Sequence, residues 1–299
     1  MYLAGWRVRS EFRIPGLAPW AGVEKPPDVT ISTGALPDRH STLALDGPLM
    51  QVARDGACWF TVPGIAAFYI NRDATAVTVD ARDPADSGVG AFLLGTVFGI
   101  LCHKRGLLAL HASCVEIGGR AVAFAGPSSL GKSLLAAALT KQGCSILADD
   151  ITVIDTASLD GPVALPSFPR LRLWRDALHA LGMEDGEKER ARPELEKYDV
   201  PSVLAANPRP LAAIYHLGRE RVGTLDAITR ISGARAIRTA GNAVYCIHAA
   251  RALVGESAML GQIARFCAAV PTFALAQQPG FEAVPARVKL LLDEHGDAS

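Results

Sequence analysis

The sequence predicts an α/β (α+β) protein: a small β-rich N-terminal domain over residues 1–85, then a larger domain of strands and helices over residues 86–299, built around a glycine-rich loop. Three observations predict it. Up to about residue 85 the apolar runs are strand-length and separated by the turn signals GLAPWAG, KPPD, DGP, RDG and NRD. The segment ARDPADSG, charged and broken by Pro84 and Gly88, marks a boundary. Beyond it an eight-residue string, Gly126 to Ser133, separates an apolar strand-like run from an Ala/Leu-rich helical one.

The chain has 299 residues, 49% of them hydrophobic, enough to bury a sizeable core. Lys+Arg and Asp+Glu are both 30, so no net field draws the chain toward nucleic acid or an anionic membrane, and anion binding has to be local. Six scattered cysteines form no C-x-x-C pair and no metal-ligand cluster with histidine, which reads as reduced thiols in the cytoplasm. The N-terminus lacks an apolar stretch of signal-peptide length. The longest uncharged apolar run, Ser87 to Cys102, is shorter than the ~20 residues that span a bilayer, and reads as a buried helix.

Element by element, Cys58 to Val62 and Ala76 to Val79 are strands of the first domain, rich in Val, Thr and aromatic residues. The apolar helix from Val89 to Leu101 ends at His103-Lys104-Arg105-Gly106, basic residues followed by a glycine stop. Leu110 to Ile117 and Arg120 to Ala125 are two strands joined by the turn Gly118-Gly119. A helix follows from Ser133 to Gln142 with Gly143 as its cap, then a strand from Cys144 to Ala148 that reaches Asp149-Asp150. Further strands are expected near Leu171 to Trp174, Leu211 to Leu217 and Val244 to His248, with a charged, helix-like stretch from Glu184 to Glu196.

The string Gly126-Pro127-Ser128-Ser129-Leu130-Gly131-Lys132-Ser133 fits G-x-x-x-x-G-K-[ST] in full. Its chemistry needs those residues: glycines let backbone N–H groups wrap phosphates, Lys132 reaches the β and γ phosphates, and Ser133 ligates Mg²⁺. The expected nucleotide-binding set is the whole string together with Leu134. Such a loop serves ATPases, GTPases and kinases alike.

Around it, Asp149 and Asp150 fall at a strand end, where sheets present ligand-binding groups, and as consecutive residues they point to opposite sides. If Gly118-Gly119 is a two-residue turn, Ile117 pairs with Arg120, Val115 with Val122, Ser113 with Phe124 and His111 with Gly126. A phosphoryl transfer requires a base for the acceptor hydroxyl, a metal, and cations for the phosphoryl charge. Asp150 suits the base, and Lys132 with Mg²⁺ the charge; Asp149 and Ser133 are the expected metal-side residues. Arg170 and Arg172, two apart in a strand, share a face from which one can meet phosphate, and Lys197 is a further cation candidate.

The run from His111 through Gly126, Gly131, Lys132 and Ser133 to Asp149-Asp150 resembles, in its spacings too, the catalytic core of bacterial HPr kinase/phosphorylase. The resemblance is specific over about residues 107–155. It implies a phosphate-loop fold of the HPr kinase and phosphoenolpyruvate carboxykinase type, ATP and Mg²⁺ as cofactors, Asp150 as the base toward an acceptor serine, and His111 supporting the site with Asp149. The family's E-x-R-G-x-G-like signature is absent here and the N-terminal half differs from that family's. The phrases FLLGTVFGILCHKRGLLALHASCVEIGG, LPSFPRLRLW and PLAAIYHLG look more like HPr-kinase-like proteins of natural-product systems, including lasso-peptide kinases, which phosphorylate the C-terminal serine of a precursor peptide. The expectation is a cytoplasmic ATP- and Mg²⁺-dependent serine kinase acting on a peptide or small protein, with neither nucleic acid nor membrane as partner. HPr kinases form hexamers, so a homo-oligomer is an open expectation. A kinase of a small molecule such as free serine, and a nucleotide-gated binding module with little catalysis, remain as alternatives.

Overall fold

The structure, a computed structural model, describes residues 2–14, 17, 25–39, 42–168, 170–184, 196–219, 227–278 and 280–296. The turn signal GLAPWAG and the stretch from Glu184 to Glu196 lie, but for Leu17 and their two end residues Glu184 and Glu196, outside the described residues, as does the side chain of Arg170. The chain falls into two compact units: one comprises Met1–Ala109 and Tyr245–Gly261, the other Leu110–Val244 and Gln262–Ser299.

In the first unit eight strands form one sheet, ordered Tyr2–Leu3, Trp6–Ser10, Val29–Thr33, Ala76–Ala81, Ala66–Ile70, Cys58–Val62, Met50–Ala53 and Leu43–Asp46. Strands such as Ala66–Ile70 alternate buried and half-buried residues, so one face is apolar. The helical run Ser87–Lys104 packs there, Phe98 edge-on to Trp6 at 5.8 Å and Phe92 against Phe60 at 5.8 Å. Its backbone kinks at Gly95 (φ −96°, ψ −105°). This run, of mean hydropathy 1.3, is long and apolar enough to cross a membrane, and 67% of it is buried within the protein.

The second unit is laid on the hairpin Ala112–Ile117 and Arg120–Ala125. Gly118 and Gly119 both have positive φ (55° and 74°), the geometry whose twist matches the flanking strands. Its register runs from Ile117 opposite Arg120 to Ala112 opposite Ala125. Arg209–Arg219 lies parallel to the second hairpin strand, and Thr272–Gln277 parallel to it in turn. Ser145–Ala148 adds antiparallel on the outer side of Ala112–Ile117. The glycine-rich loop leads into helix Lys132–Thr140, whose Leu and Ala side chains fill the face formed by Val115, Val122, Phe124 and Tyr215. Small alanines let the helix lie close to the strands. Arg170–Trp174 and Lys197–Pro201 form a separate two-stranded ribbon, with Arg172 opposite Asp199.

Two expectations are corrected here. The strand expected from Leu110 to Ile117 breaks at His111, between strands Leu108–Leu110 and Ala112–Ile117, because the His111 N–H leaves the ladder to bond Ala243 O at 2.7 Å. The strand expected at Val244 to His248 is instead the entry to helix Ile247–Val254. Only a single bridge, Leu110 with Val244, is made there before Cys246 turns the chain through a left-handed conformation (φ 50°). The β-branched and aromatic character of Val244-Tyr245 was outweighed by what those residues pack against.

Candidate active site

Two strand ends and one helix start converge on the glycine-rich loop. Gly126 leaves its strand at φ 143°, and a Cβ there would stand 3.0 Å from the Leu217 carbonyl oxygen. Ser129 (φ 66°) and Gly131 (φ 83°) are left-handed, so the loop doubles back before the helix begins at Lys132. Gln277 ties the loop to the sheet by donating its amide to Leu130 O at 2.6 Å. The Lys132 ammonium lies over the loop, donating to Gly126 O (2.8 Å) and Pro127 O (3.1 Å).

Asp149 and Asp150 follow directly on strand Ser145–Ala148, and their environments differ. Asp149 is 2% exposed and wholly engaged: Oδ1 accepts from Ser113 Oγ at 2.6 Å and Ser133 Oγ at 2.8 Å, and Oδ2 accepts from Arg172 N–H at 2.9 Å. Hydroxyl and amide donors thus engage both of its oxygens. Asp150 sits at φ 73°, which throws its side chain to the other side, where one third of it is exposed. Thr152, donating to Ala112 O at 2.9 Å, anchors the chain just after this kink.

His111 meets Asp150. Its Nδ1 is 3.1 Å from the Asp150 carbonyl oxygen and 3.4 Å from Oδ1. A carbonyl oxygen only accepts, so Nδ1 carries the hydrogen. Burial and then the nearby Lys132 charge lower the His111 pKa, against the pull of Asp150 and Asp149. Burial also lowers the Lys132 pKa, with Asp150 and Asp149 opposing and Lys197 assisting.

The structure thus brings His111, Gly126, Lys132, Ser133, Asp149 and Asp150 together, and sets Lys197 within electrostatic reach of Lys132. Arg172 enters differently from the expected phosphate contact. Its guanidinium pairs with Asp199 at 3.2 Å, and its backbone N–H holds Asp149. Ser113 was not singled out from sequence as a site residue. The available signal is a hydroxyl at a strand position whose hairpin partner, Phe124, is buried in the core.

Ser133 and Asp149 supply a hydroxyl and a carboxylate oxygen 2.8 Å apart, hard donors that suit Mg²⁺. Among the described residues no group of three or more His, Cys, Asp or Glu side chains is placed to hold a metal. A Mg²⁺ ion here would therefore take its remaining ligands from phosphate and water, as that ion commonly does.

No protein-family model matches the chain, and no curated protein matches it. Among solved structures it is similar to the Hpr(Ser) kinase/phosphatase from Coxiella burnetii, at 11% identity and a TM-score of 0.35, over 62% of this chain and 95% of that one. So remote a likeness leaves the chemistry to be decided by the side chains themselves.

Proposed function

We propose that the protein is a cytoplasmic ATP- and Mg²⁺-dependent kinase that phosphorylates a serine hydroxyl on a peptide or small protein. The C-terminal serine of a lasso-peptide precursor is the acceptor favoured by the sequence resemblance. The observation that carries this reading is the division of labour between adjacent carboxylates: Asp149 buried against the Ser133 hydroxyl, Asp150 turned outward beside His111. A site built only to bind nucleotide has no need of a second, accessible carboxylate held by a histidine; such a carboxylate is what activates an incoming hydroxyl. Neighbouring acids in contrasting environments are how one site separates two roles.

Loop N–H groups and Lys132 would bind the phosphates; Ser133 and Asp149 would hold Mg²⁺, which would supply positive charge against the phosphoryl group. His111, through Nδ1–H, fixes the orientation of Asp150. Asp150 takes the proton of the acceptor hydroxyl as its oxygen bonds to the γ-phosphorus. The bond from that phosphorus to the bridging oxygen breaks, and ADP leaves with the electron pair. Lys132 is placed to stabilise the equatorial charge.

The test is mass spectrometry of acceptors incubated with the protein, ATP and Mg²⁺, alongside Asp150→Asn. Wild type is expected to add one phosphate to a serine-bearing peptide, and the variant to bind ATP normally with transfer reduced by at least ~100-fold. Undiminished transfer by the variant sinks the assignment of the base. Phosphate gained on free serine and not on peptides would move the acceptor to a small molecule.

A further inference from the structure

The loop accounts for phosphates and says nothing about the rest of a nucleotide. Two clefts open onto it, and both are lined by Ser129, Gly131, Leu134 and Phe281. The larger, about 630 Å³, adds Trp174 and lies within the size range of small-molecule sites. None of His111, Lys132, Asp149 or Asp150 lines it, so it adjoins the loop without sharing the residues assigned to proton and phosphoryl transfer. Its two large rings are unusually open for their size, Trp174 at 41% and Phe281 at 38% exposure.

Trp174 is carried on a strand and Phe281 on the turn that leads into a helix. Trp174 closes strand Arg170–Trp174, opposite Lys197, and directly precedes helix Arg175–Ala180. Phe281 directly follows Gly280 (φ 101°), and Phe281 O accepts from Val284 N–H at 3.1 Å, at the start of helix Val284–His295. Aromatic faces beside a phosphate cradle are what a nucleobase stacks on, and a two-ring base offers more area than a one-ring base.

We infer that the cleft between Trp174, Phe281 and Leu134 is the nucleoside subsite of the enzyme, taking the purine ring of a nucleoside triphosphate whose phosphates lie on the Gly126–Ser133 loop. This inference rests on the reading of that loop as a triphosphate site. Calorimetric titrations with Mg²⁺, comparing ATP, UTP and inorganic tripolyphosphate, test the two separately on wild type, Trp174→Ala and Phe281→Ala.

Wild type is expected to bind ATP more tightly than UTP or tripolyphosphate. Each variant should weaken ATP by about tenfold and leave tripolyphosphate unchanged. Variants that bind ATP as wild type does, or that lose ATP and tripolyphosphate equally, would overturn the nucleoside subsite. Failure of wild type to bind either ATP or tripolyphosphate would instead bring down the phosphate-loop reading, and the subsite with it.

Discussion

Asp149 shows how a buried carboxylate is held in place by neutral donors. Three donors reach it, two from hydroxyls and one from a backbone amide. Ser113 is the closest and itself fully buried, so it cannot be replaced by water when removed. Ser113→Ala should therefore lower stability by about 1–3 kcal/mol, the range for leaving a buried polar group short of a partner. It should also raise the Mg²⁺ concentration needed for half-maximal activity, because the carboxylate loses one of the three donors that set its angle. Urea unfolding at neutral pH and a Mg²⁺ titration of activity read the two effects. A variant as stable as wild type would mean that the Ser113 hydroxyl is not what holds Asp149.

At the level of elements, the hairpin decides where the site is. Its two-glycine turn sets the register from Ile117 opposite Arg120 to Ala112 opposite Ala125, which brings His111 and Gly126 to adjoining strand ends just where the ladder stops. That placement was legible in the sequence because a tight turn leaves no freedom of pairing. The strand–loop–helix order and the ends at Asp149-Asp150 were legible for the same kind of local reason. The partners of Asp149 were not: Arg172 reaches it across 23 residues from a separate ribbon, and Asp199 captures the Arg172 guanidinium, contacts that depend on tertiary placement. Val244 to His248 failed as a strand because its propensity is weaker than the packing that bends it at Cys246. Gly126 tests the element directly. Its φ of 143° and the 3.0 Å gap to Leu217 O leave no place for a methyl group, so Gly126→Ala must shift the loop against the neighbouring strand. Tripolyphosphate binding should fall by more than about tenfold, with stability reduced by roughly 1–3 kcal/mol. Retained binding, measured by calorimetry, would show that the loop tolerates the shift and that its geometry is not what cradles phosphate.

For the molecule as a whole, Tyr245–Gly261 belongs to the same compact unit as Met1–Ala109, a long-range association no composition change announces. Stability should also carry a signature of burial spread over both units. His103, His111, His216 and His295 all have pKa values lowered below the ordinary histidine value, in each case with burial as the largest cause. His216 is the extreme: 8% exposed, with no hydrogen-bond partner for Nε2 among the described residues, its pKa is pushed down to about 4. A depressed histidine pKa means that, below the unfolded value of about 6.5, the unfolded chain binds protons that the folded one refuses. Stability is then full above pH ~6.5 and declines as pH falls toward 4, where His216 itself begins to protonate in the folded state. His216→Gln removes one such group and should make the decline between pH 7 and 4.5 shallower by roughly 2 kcal/mol, the other three histidines still contributing in the same direction. Urea unfolding of wild type and variant at those two pH values measures the difference. Parallel declines would mean that His216 is protonated in the folded protein at no greater cost than in the unfolded chain, which its buried, unpartnered Nε2 argues against.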